Sequence, residues 1–236
     1  MLVKNSLPEF YVKLAATVEI FRTIYKTNES LEKSIESAIP LTKDTDLDSS
    51  RKNGLDDYQE YILSRIKTEE FSNLAKYLML CMHEFNFKGV SSVPNNTTLI
   101  SEFSALSDYE ILSKTNLHNH TLNCALCSFE ICKDQPQVIK DIVVNICLLH
   151  DFGKSPIVQK RFKDKNERHD QTSARFAIDV LEKFGLSAEL KKIIYTTLFN
   201  HHSEEKNKEQ TIYSPFLIQS DIAARTIEKR FSKAKQ

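Results

Sequence analysis

Apolar residues recur at steps of three and four along almost the whole chain, a spacing that commits it to amphipathic helices. Phe10, Leu14, Val18, Phe21 and Tyr25 mark a helix over 8–26, opened by Pro8. Leu31, Ile35 and Ile39 continue as a short helix that Pro40 stops, and the polar residues 41–54 read as a linker. Leu55, Tyr58, Ile62 and Ile66 predict another helix, and Phe71, Leu74, Leu78, Met82 and Phe85 the next, before a loop over 88–98. Beyond that loop the pattern predicts helices over about 117–132, 136–150, 170–184, 188–200 and 211–231. Gly185 stands where a helix should stop, and Ser187 where the next should be capped. No stretch alternates as a strand does. With only 4 glycines and 6 prolines in 236 residues, a β-sandwich or barrel lacks its turns, and no glycine-rich phosphate loop exists. The expected fold class is all-α: a helical bundle over 91–236 with an additional N-terminal helical region over 1–90.

The bundle has material for a core, since 41% of residues are hydrophobic, including 14 Phe and 8 Tyr. Charges balance at 32 basic and 32 acidic residues, so the chain has no bulk electrostatic grip on nucleic acid or an anionic membrane. The longest apolar run, Ile142–Leu149, is far short of the roughly 20 residues a membrane span needs. Met1–Pro8 carries no apolar signal core. The five cysteines, Cys81, Cys124, Cys127, Cys132 and Cys147, are odd in number and sit in helix-patterned segments. A reducing, cytoplasmic setting is therefore expected rather than a disulfide framework.

Side chains that bind metals gather late. Six of the 7 histidines lie at 118 or beyond. His150-Asp151 ends the apolar helix 136–150 and runs into Phe152-Gly153-Lys154. Adjacent residues there point about 100° apart, so the pair can reach one ion or straddle two. His120 opens a helix, His169 opens another, His201-His202 close a third, and Asp221 lies early in the last. Helix ends are where a bundle converges side chains, and imidazole with carboxylate suits Fe, Mn, Co, Ni or Zn. This many ligands exceeds one tetrahedral zinc and suits two ions sharing a carboxylate. Other signals are weaker. Asp170 reads as a helix cap, His118 as a surface residue or one lying behind the ligands, turned away from the ligand face, and His83 as surface or core edge. Cys124 and Cys127 read as core rather than half a zinc site. Asp44, Asp46 and Asp48 have calcium-loop spacing, but Ser49 and Leu55 stand where Gly and Glu are needed.

The order His120 … His150-Asp151 … His169 … His201-His202 … Asp221, with Gly153-Lys154 after the central pair, resembles the HD-domain metal-dependent phosphohydrolases over about 115–225. His120-Thr-Leu-Asn-Cys-Ala matches the family's first helix and Leu148-Leu-His-Asp-Phe-Gly-Lys its centre. Having both the intermediate His169 and the His201-His202 pair is similar to the subset that binds two metals and includes cyclic-dinucleotide phosphodiesterases. The Gly-Tyr-Pro signature of one subgroup is replaced after His202 by Ser-Glu-Glu-Lys. Asn116 stands where some members carry a further carboxylate ligand, which limits the expected count to two ions.

The resemblance implies Asp151 as the bridging ligand, His120, His150 and Asp221 on one metal, and His169, His201 and His202 on the other. Two divalent transition ions, Fe or Mn first and Co, Ni or Zn next, would activate water for attack on phosphorus. Lys154 would bond the phosphate of a nucleotide or cyclic dinucleotide. Lys160, in the basic stretch 158–168, and Arg225, one turn after Asp221, are further candidates for phosphate. Residues 1–90 would be a regulatory or dimerising extension, which leaves room for a homodimer. The competing readings are a mononuclear nucleotidase and a non-catalytic signalling scaffold, and metal content separates all three.

Overall fold

The structure, a computed structural model, describes residues 57–89, 115–203 and 209–234. The helices expected at 8–26 and 31–39, the linker 41–54 with its three aspartates, and the loop beyond residue 89 lie outside the described residues. Eight α-helices follow in order: α1 Asp57–Arg65, α2 Glu69–Glu84, α3 Leu117–Ile131, α4 Gln137–Leu149, α5 Pro156–Phe162, α6 His169–Lys183, α7 Ala188–Asn200 and α8 Ser214–Ala234. A 3-10 turn, Phe152–Lys154, joins α4 to α5. No strand occurs among the described residues. The fold is all-α, as the periodicity predicts.

α4 is the central helix. It is buried continuously from Asp141 to Leu149, because α2, α3 and α8 all pack on it. That is why its sequence lacks a polar face. Within that stretch Asn145 Nδ2 donates to Phe71 O at 3.1 Å and Asp141 O at 2.8 Å, while its Oδ1 is buried without a hydrogen-bond partner among the described residues. Asp141 in turn accepts from the backbone N–H of Lys67 and Thr68 at 3.2 and 2.9 Å. α4 thereby caps α2, whose own Thr68 makes no side-chain cap. Buried polar groups left unpaired would cost roughly 1–3 kcal/mol each, so these contacts fix the register of α2 on α4. α1 meets α3 through the Arg65 guanidinium, 4.5 Å above the Phe129 ring.

Caps set the remaining ends. Gly185 adopts φ +66° just past α6, the left-handed conformation that suits glycine, and Ser187 Oγ accepts from Leu190 N. Three expectations need correction. α5 overlaps the stretch 158–168, which composition marks only as basic; Pro156 at its first turn is the missed start signal. Asp170 is not the α6 cap. Arg168 occupies that position, and Asp170 lies fully buried in the first turn, bonded by Arg168 Nε and Nη2. His118 is buried rather than turned to solvent, because α1 covers it and places Gln59 Nε2 3.2 Å from its Nε2. His83 is exposed, and the five cysteines are free and buried.

Candidate metal centre

The site begins where α4 ends. His150 caps α4 in helical conformation, and its Nδ1–H donates back to Cys147 O at 2.6 Å. A carbonyl only accepts, so Nδ1 carries the proton and the Nε2 lone pair faces away from the helix. α7 repeats the device: His201 caps it, and its Nδ1–H donates to Leu198 O at 2.7 Å. The two rings stand 5.8 Å apart, centre to centre.

Asp151 follows His150 and turns the chain into Phe152–Lys154. Fully buried Phe152 anchors this turn by stacking on Phe176 of α6 at 4.5 Å. Gly153 permits a close backbone approach. A Cβ there would overlap the carbonyl of His169 and lie 2.8 Å from Ser173 N, while Gly153 N donates to Ser173 Oγ at 2.7 Å. The turn and the start of α6 are thus pressed together, which brings His169 over Asp151.

The two oxygens of Asp151 face different histidines. Oδ2 lies 3.3 Å from His150 Nε2 and 3.7 Å from His120 Nε2, and accepts from Lys154 Nζ at 2.7 Å. Oδ1 lies 3.5 Å from His169 Nε2. Asp221 Oδ1, from α8, stands 3.0 Å from His120 Nε2. Two groups have ligand atoms within 4.8 Å of one another and could hold an ion: His120, His150 and Asp151; and Asp151, His169, His201 and His202. The shared member is Asp151. His120 Nε2, His150 Nε2, Asp151 Oδ1, His169 Nε2 and His201 Nε2 are buried without a hydrogen-bond partner of good geometry. Such atoms are costly alone and natural as ligands, so the donor set fits transition ions.

Electrostatics keep most of these groups in ligand form. Burial depresses His169 and His202 to about 3 and His201 to about 4, so all three are neutral near pH 7. Burial would raise Asp151, but His150 and Lys154 outweigh it and hold the carboxyl well below its ordinary range. Asp221 is likewise held low against burial by His120 and Arg225. His120 is the exception. Burial lowers it, yet Glu228 and Asp221 outweigh burial and raise it to about 9. In the metal-free protein it carries a proton that an ion would displace.

Glu228 joins the site although nothing local in the sequence marks it, since it stands among Arg225, Lys229 and Arg230 on the last helix. It is buried on α8, and its Oε1 accepts from His120 Nδ1 at 3.1 Å and Asn123 Nδ2 at 3.0 Å. The available signal was its position seven residues after Asp221, which puts both on one helix face. Among the candidates for phosphate, Lys154 is nearly buried beside Asp151, and Arg225 Nε donates to Asp221 Oδ1 at 3.0 Å. Lys160 is exposed on α5. Asn116, where an additional ligand was considered, caps α3 by accepting from Asn119 N at 2.8 Å.

No match was found among curated proteins or among solved structures. No helix among the described residues is long and apolar enough to cross a membrane. The family model for the HD domain matches residues 117–232, which run from the first residue of α3 to near the end of α8 and contain every histidine and aspartate of the cluster. Residues 117–232 are an HD domain, the domain of a superfamily of metal-dependent phosphohydrolases.

Proposed function

We propose that the protein is a two-metal phosphohydrolase acting on a nucleotide or cyclic dinucleotide. The observation that carries this reading is Asp151, whose two buried oxygens face separate histidine groups. His120, His150 and Asp221 would serve one divalent ion, His169, His201 and His202 the other, and Asp151 both. The ions, Fe or Mn first, would supply Lewis acidity and a water activated at neutral pH. Asp151, with one buried oxygen toward each histidine group, would serve both ions. His150 and His201 are oriented by their backbone carbonyls and need no reorganisation to present Nε2. Lys154 supplies a cation beside Asp151 for a phosphate oxygen. Arg225, paired with Asp221, and Lys160 on α5 would extend the basic surface toward the rest of the substrate. Neither Ser nor Cys is needed as nucleophile.

The packing of α2 on α4 favours grouping residues 57–89 with the hydrolase bundle, so that a distinct N-terminal extension would end before residue 57. Five free cysteines fit a reducing cytoplasm.

Anaerobic purification, metal quantification and a phosphoester screen with Mn(II) or Fe(II) test the reading. About two transition ions per chain with phosphodiesterase turnover is the expected result. One ion with nucleoside-phosphate turnover would replace it by a mononuclear nucleotidase, and no ion by a scaffold.

A further inference from the structure

Three buried histidines in the site present Nε2 to the same region, but their Nδ1 partners differ. His150 and His201 donate to carbonyls three residues back on their own helices. His120 donates to a carboxylate on another helix, 108 positions away, with both Glu228 oxygens in reach at 3.1 and 3.2 Å. A buried carboxylate is expensive unless it is paired and bonded. Here the cost is met by two donors, His120 Nδ1–H and Asn123 Nδ2, both on α3 and one turn apart. Among the described residues, His120 is the member of the histidine–aspartate cluster that bonds Glu228. A carboxylate behind an imidazole fixes the ring, fixes which nitrogen carries the proton, and makes the other nitrogen a stronger donor.

We propose that Glu228, held by Asn123, is a positioning residue that locks His120 with Nε2 turned toward Asp151 and Asp221 and strengthens it as a ligand. The inference rests on the metal reading above and deepens it. It makes the His120 end of the site the tighter one, and it makes α8 responsible for both the Asp221 ligand and the group behind the His120 ligand.

The test uses the full chain, Zn(II) as probe, and two readouts besides turnover. Competition with a chelator measures the affinity of each ion. Proton–nitrogen spectra of the imidazole rings locate each Nδ1–H. In the unmutated protein the His120 Nδ1–H should lie downfield of those of His150 and His201, because its acceptor is charged. Glu228→Gln keeps the shape and removes the charge. It should move only the His120 proton upfield and weaken one of the two ions by about 10-fold or more. Asn123→Ala should do the same more weakly. A His120 proton indistinguishable from the other two in the unmutated protein would overturn the proposal, whether or not Glu228→Gln folds. So would a folded Glu228→Gln with unchanged affinities. If the unmutated protein takes up no Zn(II), Mn(II) or Fe(II), the two-metal reading fails instead, and the metal-free ring spectrum still judges Glu228.

Discussion

The α3–α8 side of the site and the α6–α7 side hold their imidazoles by opposite means. On the first, a single histidine from α3, fully buried His120, lies among three carboxylates: Asp151, Asp221 and Glu228. On the second, His169, His201 and His202 lie together, with ring centres 3.9 Å apart for His201 and His202 and 4.9 Å for His169 and His202. His169 there remains 30% exposed. Charge-rich and dry on one side, neutral and partly wet on the other, the two would treat an ion differently. The inner side gives up a proton to take an ion, and holds it with anionic groups. The outer side offers neutral nitrogens already deprotonated, with an edge open to solvent for a substrate. Asp151 is the residue that belongs to both groups and would serve both ions.

The strongest way to break this division is to remove the shared residue. Asp151→Ala should abolish uptake of both ions and all phosphoesterase turnover, as measured by elemental analysis and rate on the same sample. Retention of one ion would show that the sides are independent and that Asp151 belongs to only one of them. The next largest effect is expected at Gly153. Gly153→Ala forces a methyl group against the His169 carbonyl, which is backbone and cannot swing aside. Overpacking of this kind costs about 1–3 kcal/mol, read as a lower melting temperature. Because α6 must retreat to relieve it, the outer ion should weaken while the inner one is spared.

A different division separates what the sequence carries openly from what it hides. His150-Asp151, His201-His202 and Asp221 stand out because their residue types are rare in helix cores and their order is distinctive. The helices themselves follow from periodicity, since a face buried on one side repeats every three or four residues. What stays hidden depends on partners distant in sequence. Glu228 looks like a solvated charge until α3 is packed against α8. Asp170 looks like a cap until Arg168 is seen to bond it. Asp141 gives no sign of its capping role, because the amides it caps are 73 and 74 residues away. α5 is short, and in so few residues a basic surface outweighs the apolar signal, of which only Val158 is buried.

The two sides should also pull stability in opposite directions with pH in the metal-free protein. His120 has its folded pKa raised to about 9, above the ordinary 6.5. Its contribution is complete below 6.5 and is lost as pH rises through 9, because the folded state binds the extra proton in that window. His169, His201 and His202 have folded values depressed to between about 3 and 4. Their contribution is complete above 6.5 and is lost as pH falls toward 4, where the unfolded chain binds the protons. Denaturant melts across pH should therefore peak near 6.5. His120→Asn should remove the alkaline fall and leave the acid one. Saturating Zn(II) should also flatten the alkaline fall, since the ion takes the place of the proton on His120. An alkaline fall that survives both treatments would mean that His120 is not the group responsible.

The smallest expected effect compares the two helix caps. Asn116 caps α3 one turn from His120, whereas Ser187 caps α7 at the end away from His201. Loss of either cap costs about 1 kcal/mol, so Asn116→Ala and Ser187→Ala should lower stability by similar amounts. Their effects on metal should not be similar. Fraying the first turn of α3 loosens the backbone that carries His120, so Asn116→Ala should weaken the inner ion. Fraying the first turn of α7 leaves more than two further turns between the damage and His201, and the outer ion should be unchanged within error. Equal losses of metal affinity would mean that the site responds to global stability and not to the helix that presents each ligand. The inner side's dependence on α3 would then have to come from the Glu228 contact alone.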